Sequence, residues 1–309
     1  MAPLGAGKVG LFAAAAAGAG GLFGTGAGFV AGGYSQTDEI DKITFADDST
    51  ETLAAVLSQA RYYAAGCSNG SSYGYAAGGY VDGTGNVATM DKFDYSGDTC
   101  GAAADTLDTA GYNCTGLANG TTYGYWGAAN TWTSTIEKTD FSDDATAAIT
   151  PTLDQNMNTC AGFAEPTVAG YWCGGGTRID TICKTDFSDD STANIAETLS
   201  DDTYYLGGLN NGSTAGYSGG GLTPGNTDKI DKTDFSDDST AVIVPTLSVA
   251  RHYVRGLASG IIAGYWCAGA PSNGVIDKTD FSDDSTAAIV STFSGYYGRA
   301  AFSSAYDAT

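Results

Sequence analysis

The chain has 309 residues, including 45 glycines and 19 tyrosines, and 35 Asp and Glu against 13 Lys and Arg give a formal net charge of −22. That balance argues against nucleic acid or an anionic membrane surface as a partner, because both are bound by clustered Lys and Arg. One histidine, His252, and seven cysteines without a Cys-x-x-Cys pair argue against a zinc or thiol-redox centre. Amphipathic stretches of helical period are absent, which favours an all-β fold.

The uncharged segment from Val9 to Val30 is mainly Ala and Gly, too weakly hydrophobic for a good spanning helix. It reads as part of the fold or as a packed arm, so no membrane insertion is expected. Exit from a cell would then take a route other than signal-directed secretion, such as lysis.

Beyond this segment six copies of one phrase organise the chain. They are Asp41-Lys42-Ile43-Thr44-Phe45, Asp91-Lys92-Phe93-Asp94-Tyr95, Glu137-Lys138-Thr139-Asp140-Phe141, Cys183-Lys184-Thr185-Asp186-Phe187, Asp231-Lys232-Thr233-Asp234-Phe235 and Asp277-Lys278-Thr279-Asp280-Phe281. Successive lysines lie 50, 46, 46, 48 and 46 residues apart. Short β segments repeating every 40 to 50 residues mark a propeller in which each repeat is one blade.

Within a repeat, a stretch such as Leu247-Ser248-Val249-Ala250-Arg251-His252-Tyr253, with small residues after it, predicts the innermost strand. Asn69-Gly70, Asn119-Gly120 and Asn211-Gly212 then predict hairpin turns, since both central residues need positive φ. A second strand follows at Gly74-Tyr75, Gly124-Tyr125-Trp126, Gly170-Tyr171-Trp172, Gly216-Tyr217 and Gly264-Tyr265-Trp266. The lysine phrase forms the third strand, and after the Ser-Asp-Asp-Ser-Thr turn comes a short outer strand such as Ala241-Val242-Ile243-Val244.

Lys42, Lys92, Lys138, Lys184, Lys232 and Lys278 share one slot, and in five of them an Asp follows two residues later on the same strand face. An ion pair within or between blades, repeated round the ring, is expected; a lysine ring that binds a ligand is the alternative. The Asp-rich turns should form an acidic ring at one edge, as turn formers that also keep the particle soluble. A divalent cation at the Asp-Asp turns is a weaker reading, because the spacing is not that of an EF-hand loop; no other cofactor is expected. Cys173 and Cys183 fall on adjacent antiparallel strands where they could face each other as a disulfide, with buried thiols as the alternative. Trp126, Trp172 and Trp266 are candidate contact aromatics or, equally, blade packing.

An Arg near the inner strand, an aromatic followed by Gly-Gly, and a strand ending in an Asp-rich turn resemble the kelch repeat over roughly residues 10 to 295. The Trp that closes a kelch repeat is missing, and Gly-Gly becomes Gly127-Ala128 in the third copy. The wording Gly-Tyr-Trp-x-Gly-Gly followed by Asp-Lys-Thr-Asp-Phe-Ser-Asp-Asp, with the opening Met1-Ala2-Pro3-Leu4-Gly5-Ala6, is similar to degenerate kelch-like repeats in virion proteins of tailed phages from marine bacteria. The resemblance implies a six-bladed kelch-like β-propeller with four antiparallel strands per blade.

Seven segments compete for six inner-strand positions. The expectation is that the segment near Ala14 to Gly20 completes the first blade and that the tail, Tyr296 onward, docks elsewhere. Residues 1–13 would then form an arm, 14–295 the propeller and 296–309 a tail that is docked or, in the other arrangement, closes the ring.

No Ser-His-Asp or metal constellation is present, and six equivalent Asp-Asp copies suit structure better than glycoside cleavage. A non-enzymatic structural or adhesive virion component is expected, on a tail fibre, tail appendage or capsid surface. Its partners would be other virion or surface proteins and host glycan, with several copies in an assembly. The alternative is a cell-surface or extracellular scaffold that binds a protein or polysaccharide.

Overall fold

Each repeat forms one four-stranded antiparallel sheet, and six such sheets make up the propeller in the computed structural model. The structure describes residues 26–130, 134–176, 178–271 and 274–304. In the second blade the strands run outward as Ala65–Ser68, Tyr73–Ala77, Met90–Asp94 and Thr99–Ala102. The inner strands of blades three to six are Thr115–Ala118, Ala161–Glu165, Gly207–Asn210 and Arg255–Ala258. Strands in second position, such as Ala169–Cys173 and Ala263–Cys267, are buried throughout because a neighbouring sheet covers each face. Outer strands such as Thr99–Ala102 are largely exposed.

Closest approach at the axis is set by glycine. Gly66, Gly116, Gly162, Gly208 and Gly256 occupy one position of five inner strands, with Ala301 in the sixth. A Cβ on Gly116 would sit 2.5 Å from the Gly66 carbonyl oxygen, and one on Gly208 would sit 2.4 Å from that of Gly162. A Cβ on Gly66 or Gly256 would overlap backbone of Ala301 or Gly208. The inner strands therefore meet backbone to backbone, and at five of the six positions only a missing side chain permits it.

Apolar side chains divide into six clusters among the described residues, one at each junction between blades. The cluster of Val30, Ile43, Leu257, Tyr265 and Ile276 joins the sixth blade to the first and closes the circle.

Closure differs from the sequence expectation. The inner strand of the first blade is Ala300–Ser303, paired with Ala27–Gly33 in the register Phe29 opposite Phe302 and Val30 opposite Ala301. The tail succeeds because it supplies two side chains that an alanine-rich segment lacks. Phe302 fills the cluster of Phe29 and Phe93, and Arg299 donates from Nη1 to Asp41 Oδ2 at 2.5 Å and from Nη2 to the Val30 carbonyl at 3.0 Å. Residues 1–25, which include the predicted arm and the Ala14 to Gly20 segment, lie outside the described residues.

Arg61 and Arg251 place their guanidinium groups in the same way. Each Nη1 bonds the acid that precedes the repeat lysine, Asp91 or Asp277, at 2.7 Å, and each Nη2 bonds a second-strand carbonyl, Ala76 or Trp266. All six partners of these ion pairs are at most 2 % exposed. Burial alone would lift the Asp41 carboxyl, but Arg299 and hydrogen bonds from Thr52 and Ser294 hold it below the ordinary 3.8.

Two predictions follow from this packing. Gly116→Ala should cost about 1–3 kcal/mol of unfolding free energy by overpacking the axis, whereas Gly101→Ala, with open space around it, should fall within about 0.5 kcal/mol of wild type; urea denaturation measures both. Asp41→Asn strands a buried Arg299 and should cost about 3–5 kcal/mol. Because the folded-state pKa of Asp41 is depressed, its contribution is complete above the unfolded value of 3.8 and disappears as pH falls through the lower folded value. The variant should therefore lose less stability than wild type on acidification below about pH 4, read from thermal melts against pH.

Candidate functional site

The repeat lysines bridge neighbouring blades. Lys42, Lys92, Lys138, Lys184 and Lys232 reach Asp98, Asp144, Asp190, Asp238 and Asp284 of the next blade at 2.6–2.9 Å, and Lys278 closes the circle on Asp48 at 2.9 Å. Each acceptor is the last acid of its turn and sits at a φ of 46–64°, a left-handed conformation that Asp tolerates well. The Asp two residues after the lysine, the candidate partner by sequence, is occupied otherwise: Asp140 Oδ1, for example, accepts the Ser142 N–H and caps its own turn.

Five tyrosines directly across the strand from these lysines join the same acceptors. Tyr75, Tyr125, Tyr171, Tyr217 and Tyr265 donate to Asp144, Asp190, Asp238, Asp284 and Asp48 at 2.6–2.9 Å. The phenylalanine of the next blade stacks on each tyrosine ring, as Phe187 does on Tyr125 at 4.9 Å. Burial, reinforced by the Asp neighbour, pushes these phenols above their ordinary value. At the first junction Phe29 replaces the tyrosine, and Asp98 Oδ1 is buried without a hydrogen-bond partner. The missing hydroxyl reappears on Tyr95, which bonds Ser68 and the Ser303 carbonyl instead.

The tryptophans are packing residues and not surface contacts. Trp126, Trp172 and Trp266 are 2 %, 0 % and 0 % exposed, and their Nε1 atoms donate to Thr139, Thr185 and Thr279 within the same blade. The proposed disulfide is not formed. Cys173 lies opposite Ile182 and Cys183 opposite Trp172, a register one residue away from facing. The two thiols therefore point to opposite faces of the fourth blade, Cys183 into its junction with the third and Cys173 into its junction with the fifth. Among the described residues no group of three or more His, Cys, Asp or Glu side chains is arranged to hold a metal ion, and the carboxylates of the Asp-Asp turns are engaged by turn N–H groups, lysines and tyrosines.

Antiparallel strands sort the loops onto two faces. One face carries the Asn-Gly hairpins and the acidic turns. The other carries the links between blades, and here the aromatic pairs Tyr62-Tyr63, Tyr204-Tyr205, His252-Tyr253 and Tyr296-Tyr297 converge on the axis. Tyr63, Tyr205 and Tyr253 adopt φ of 61°, 62° and 57°, uncommon for bulky residues. Their N–H groups donate to Gly298, Thr159 and Tyr205 carbonyls at 2.6, 2.8 and 2.8 Å, and Asn113 and Thr159 continue this circle of backbone bonds. Ring contacts are continuous: Tyr205 to Tyr253 at 4.0 Å, Tyr253 to Tyr63 at 5.0 Å, Tyr253 to Tyr297 at 5.4 Å and Tyr297 to Tyr34 at 4.6 Å. Tyr62, Tyr80 and Tyr112 extend the patch outward. Burial raises Tyr63 and Tyr253, brings Tyr297 to about 12, and lowers His252, whose Nδ1 lies 2.9 Å from Asn226 Oδ1. Sequence reasoning missed this patch, although an aromatic pair recurring just before the inner strand is a readable signal.

Along the axis the glycine ring forms a waist between two cavities. A cavity of about 140 Å³ opens toward the acidic face, lined by Ser68, Gly70, Gly120, Asn210 and Ser303 among others. A second, of about 110 Å³, lies on the tyrosine side and is lined by Thr115, Cys160 and Arg255 among others.

No model of a known protein family matches the chain, and no curated protein matches it. The kelch likeness therefore rests on the residues of the repeat itself.

The junctions generate a paired prediction. Tyr125→Phe should cost about 0.5–1.5 kcal/mol, the net worth of one hydrogen bond, whereas Phe29→Tyr should gain a similar amount by satisfying Asp98. Chemical denaturation of both variants checks the opposite signs.

Proposed function

We propose that this protein is a non-catalytic adhesion or assembly module of a virion that docks its tyrosine face onto another protein or a host glycan. The observation that carries the reading is the aromatic patch at the axial mouth, where three tyrosines are held in left-handed backbone conformations. Such conformations cost of order 1–3 kcal/mol and persist where the surrounding structure over-determines them, which is characteristic of functional positions. Tyrosine supplies large contact area and a polar tip at low side-chain entropy cost, and is enriched in binding surfaces. The opposite face, ringed by acids, disfavours acidic partners and leaves the tyrosine face as the adhesive side. The virion setting is supported by the likeness of the repeat to kelch-like virion proteins of tailed phages, and a tail fibre, tail appendage or capsid surface would present such a disc in several copies. Detection of the protein in purified particles separates this setting from a cell-surface scaffold.

Immobilised protein should retain proteins from dissociated particles or a glycan on an array. A variant combining Tyr62→Ser, Tyr80→Ser and Tyr112→Ser, all partly exposed, should weaken that binding at least about tenfold, the equivalent of about 1.4 kcal/mol, while melting as a cooperative fold. Binding unchanged in this variant, or absent from both probes with wild type, would overturn the reading.

A further inference from the structure

Ten lysines and arginines form ion pairs within 4.0 Å of a carboxylate. Among the described residues two cations do not: Arg178, which is exposed, and Arg255. In a chain of net charge −22, a half-buried guanidinium without a carboxylate partner calls for a physical account.

Arg255 begins the inner strand of the sixth blade, where the other five blades have Ala65, Thr115, Ala161, Gly207 and Ala300. It is thus the one large and charged side chain in a ring of small ones, and it lines the cavity of about 110 Å³ below the tyrosine mouth. Two anchors fix it: Nε donates to the Arg299 carbonyl at 2.6 Å and Nη1 to the Val254 carbonyl at 3.1 Å. Nη2 bonds no described residue and remains free to serve the cavity.

Nothing lining this cavity supplies negative charge. The lining contains no Asp or Glu, and its thiols Cys114 and Cys160 are pushed up to about 12 by burial, so they stay protonated. Desolvation also brings Arg255 down to about 10. Each inner strand is the last strand of its sheet, so its axis-facing edge carries backbone N–H groups without a strand partner. The cavity far exceeds the ~10–15 Å³ needed for one water. Arg255 is half-buried, and a guanidinium partly withdrawn from water with no carboxylate beside it is stabilised by a counter-ion.

We propose that the axial cavity binds a single small inorganic anion, of halide or phosphate size, held by Arg255 Nη2 and the axis-facing N–H groups of the inner strands. Bound there, the anion ties the sixth blade to its neighbours across the axis and neutralises a guanidinium that has no carboxylate partner among the described residues.

The test uses the full-length protein, its Arg255→Met variant and two probes, sodium bromide and sodium phosphate, at constant ionic strength. Wild type should show a saturable rise in melting temperature with either anion, and Arg255→Met should show none while melting at or above wild type in anion-poor buffer. Crystals of wild type soaked in bromide should give an anomalous peak within hydrogen-bond distance of Nη2, a readout that does not require the variant to fold. Equal anion responses in the two proteins, absence of the peak, or a carboxylate of the protein seated on the guanidinium would overturn the proposal. None of these outcomes depends on the tyrosine face.

Discussion

The molecule depends on the junction between blades. No sheet has a core of its own: each second strand is buried only because a neighbouring sheet lies on either side, and the apolar clusters belong to pairs of blades. At every junction one carboxylate held in a left-handed turn receives a lysine from the blade before it, and at five junctions a tyrosine from the same blade as well. This arrangement couples turn geometry to tertiary contact. An Asp that left the left-handed region would lose its partners, and a blade that slipped in register by one residue would turn its lysine and tyrosine to the wrong face. Half-buried ion pairs of this kind gain little net free energy once desolvation is offset, so the value of this contact lies in specifying how blades stack, while ring stacking and burial supply most of the free energy.

The axis imposes a second constraint, opposite in kind. Junction chemistry adds groups, whereas the centre removes them: five glycines and one alanine let six backbones meet. The arginines then stabilise the region from behind. Arg61, Arg251 and Arg299 each tie a linker to the acid of its own third strand and to a second-strand carbonyl. Arg299 starts from a different backbone position from the other two, yet delivers its guanidinium to the same place. In the blades that lack such an arginine the acid is in another state: burial raises Glu137 and Asp231, and Cys183 replaces the carboxylate altogether in the fourth blade. The same slot thus accommodates an ion pair, a hydrogen-bonded acid or a thiol, which is why the repeat can diverge there without losing the fold.

Much of this was legible in the sequence because propeller geometry repeats. The lysine spacing gave the number of blades, and the Asn-Gly steps placed the hairpins. Partner identity was less accessible: Asp140 and Asp144 sit in one short turn, and only the turn's backbone decides that Asp144 faces the preceding blade while Asp140 caps its own chain. Cys173 and Cys183 looked opposed because the loop between their strands hides a one-residue offset. Trp126, Trp172 and Trp266 looked like contact residues because an aromatic beside a glycine is equally a surface feature and an inter-blade wedge; the glycines at Gly127 and Gly219 turn out to be seats for Trp172 and Trp266 of the following blade. Ring closure eluded the reading because two segments stood at suitable offsets for an inner strand, and the deciding groups, Phe302 and Arg299, act through contacts with residues far away in the chain.

The closing strand carries a further consequence for biosynthesis. Ala27 and its hydrogen-bond partner Ser304 are 277 residues apart, so a ribosome translating roughly 5–20 residues per second emits the second roughly 15–55 s after the first. Once Val56 has emerged, the three strands of this sheet described from Ala27 to Val56 await their fourth, and the edge beside Phe29 is open to strand pairing with another nascent chain nearby. Translation on crowded polysomes is therefore the stage at which this polypeptide is most exposed to swapping its last strand with a sister molecule, and a chaperone that shields that edge would act there.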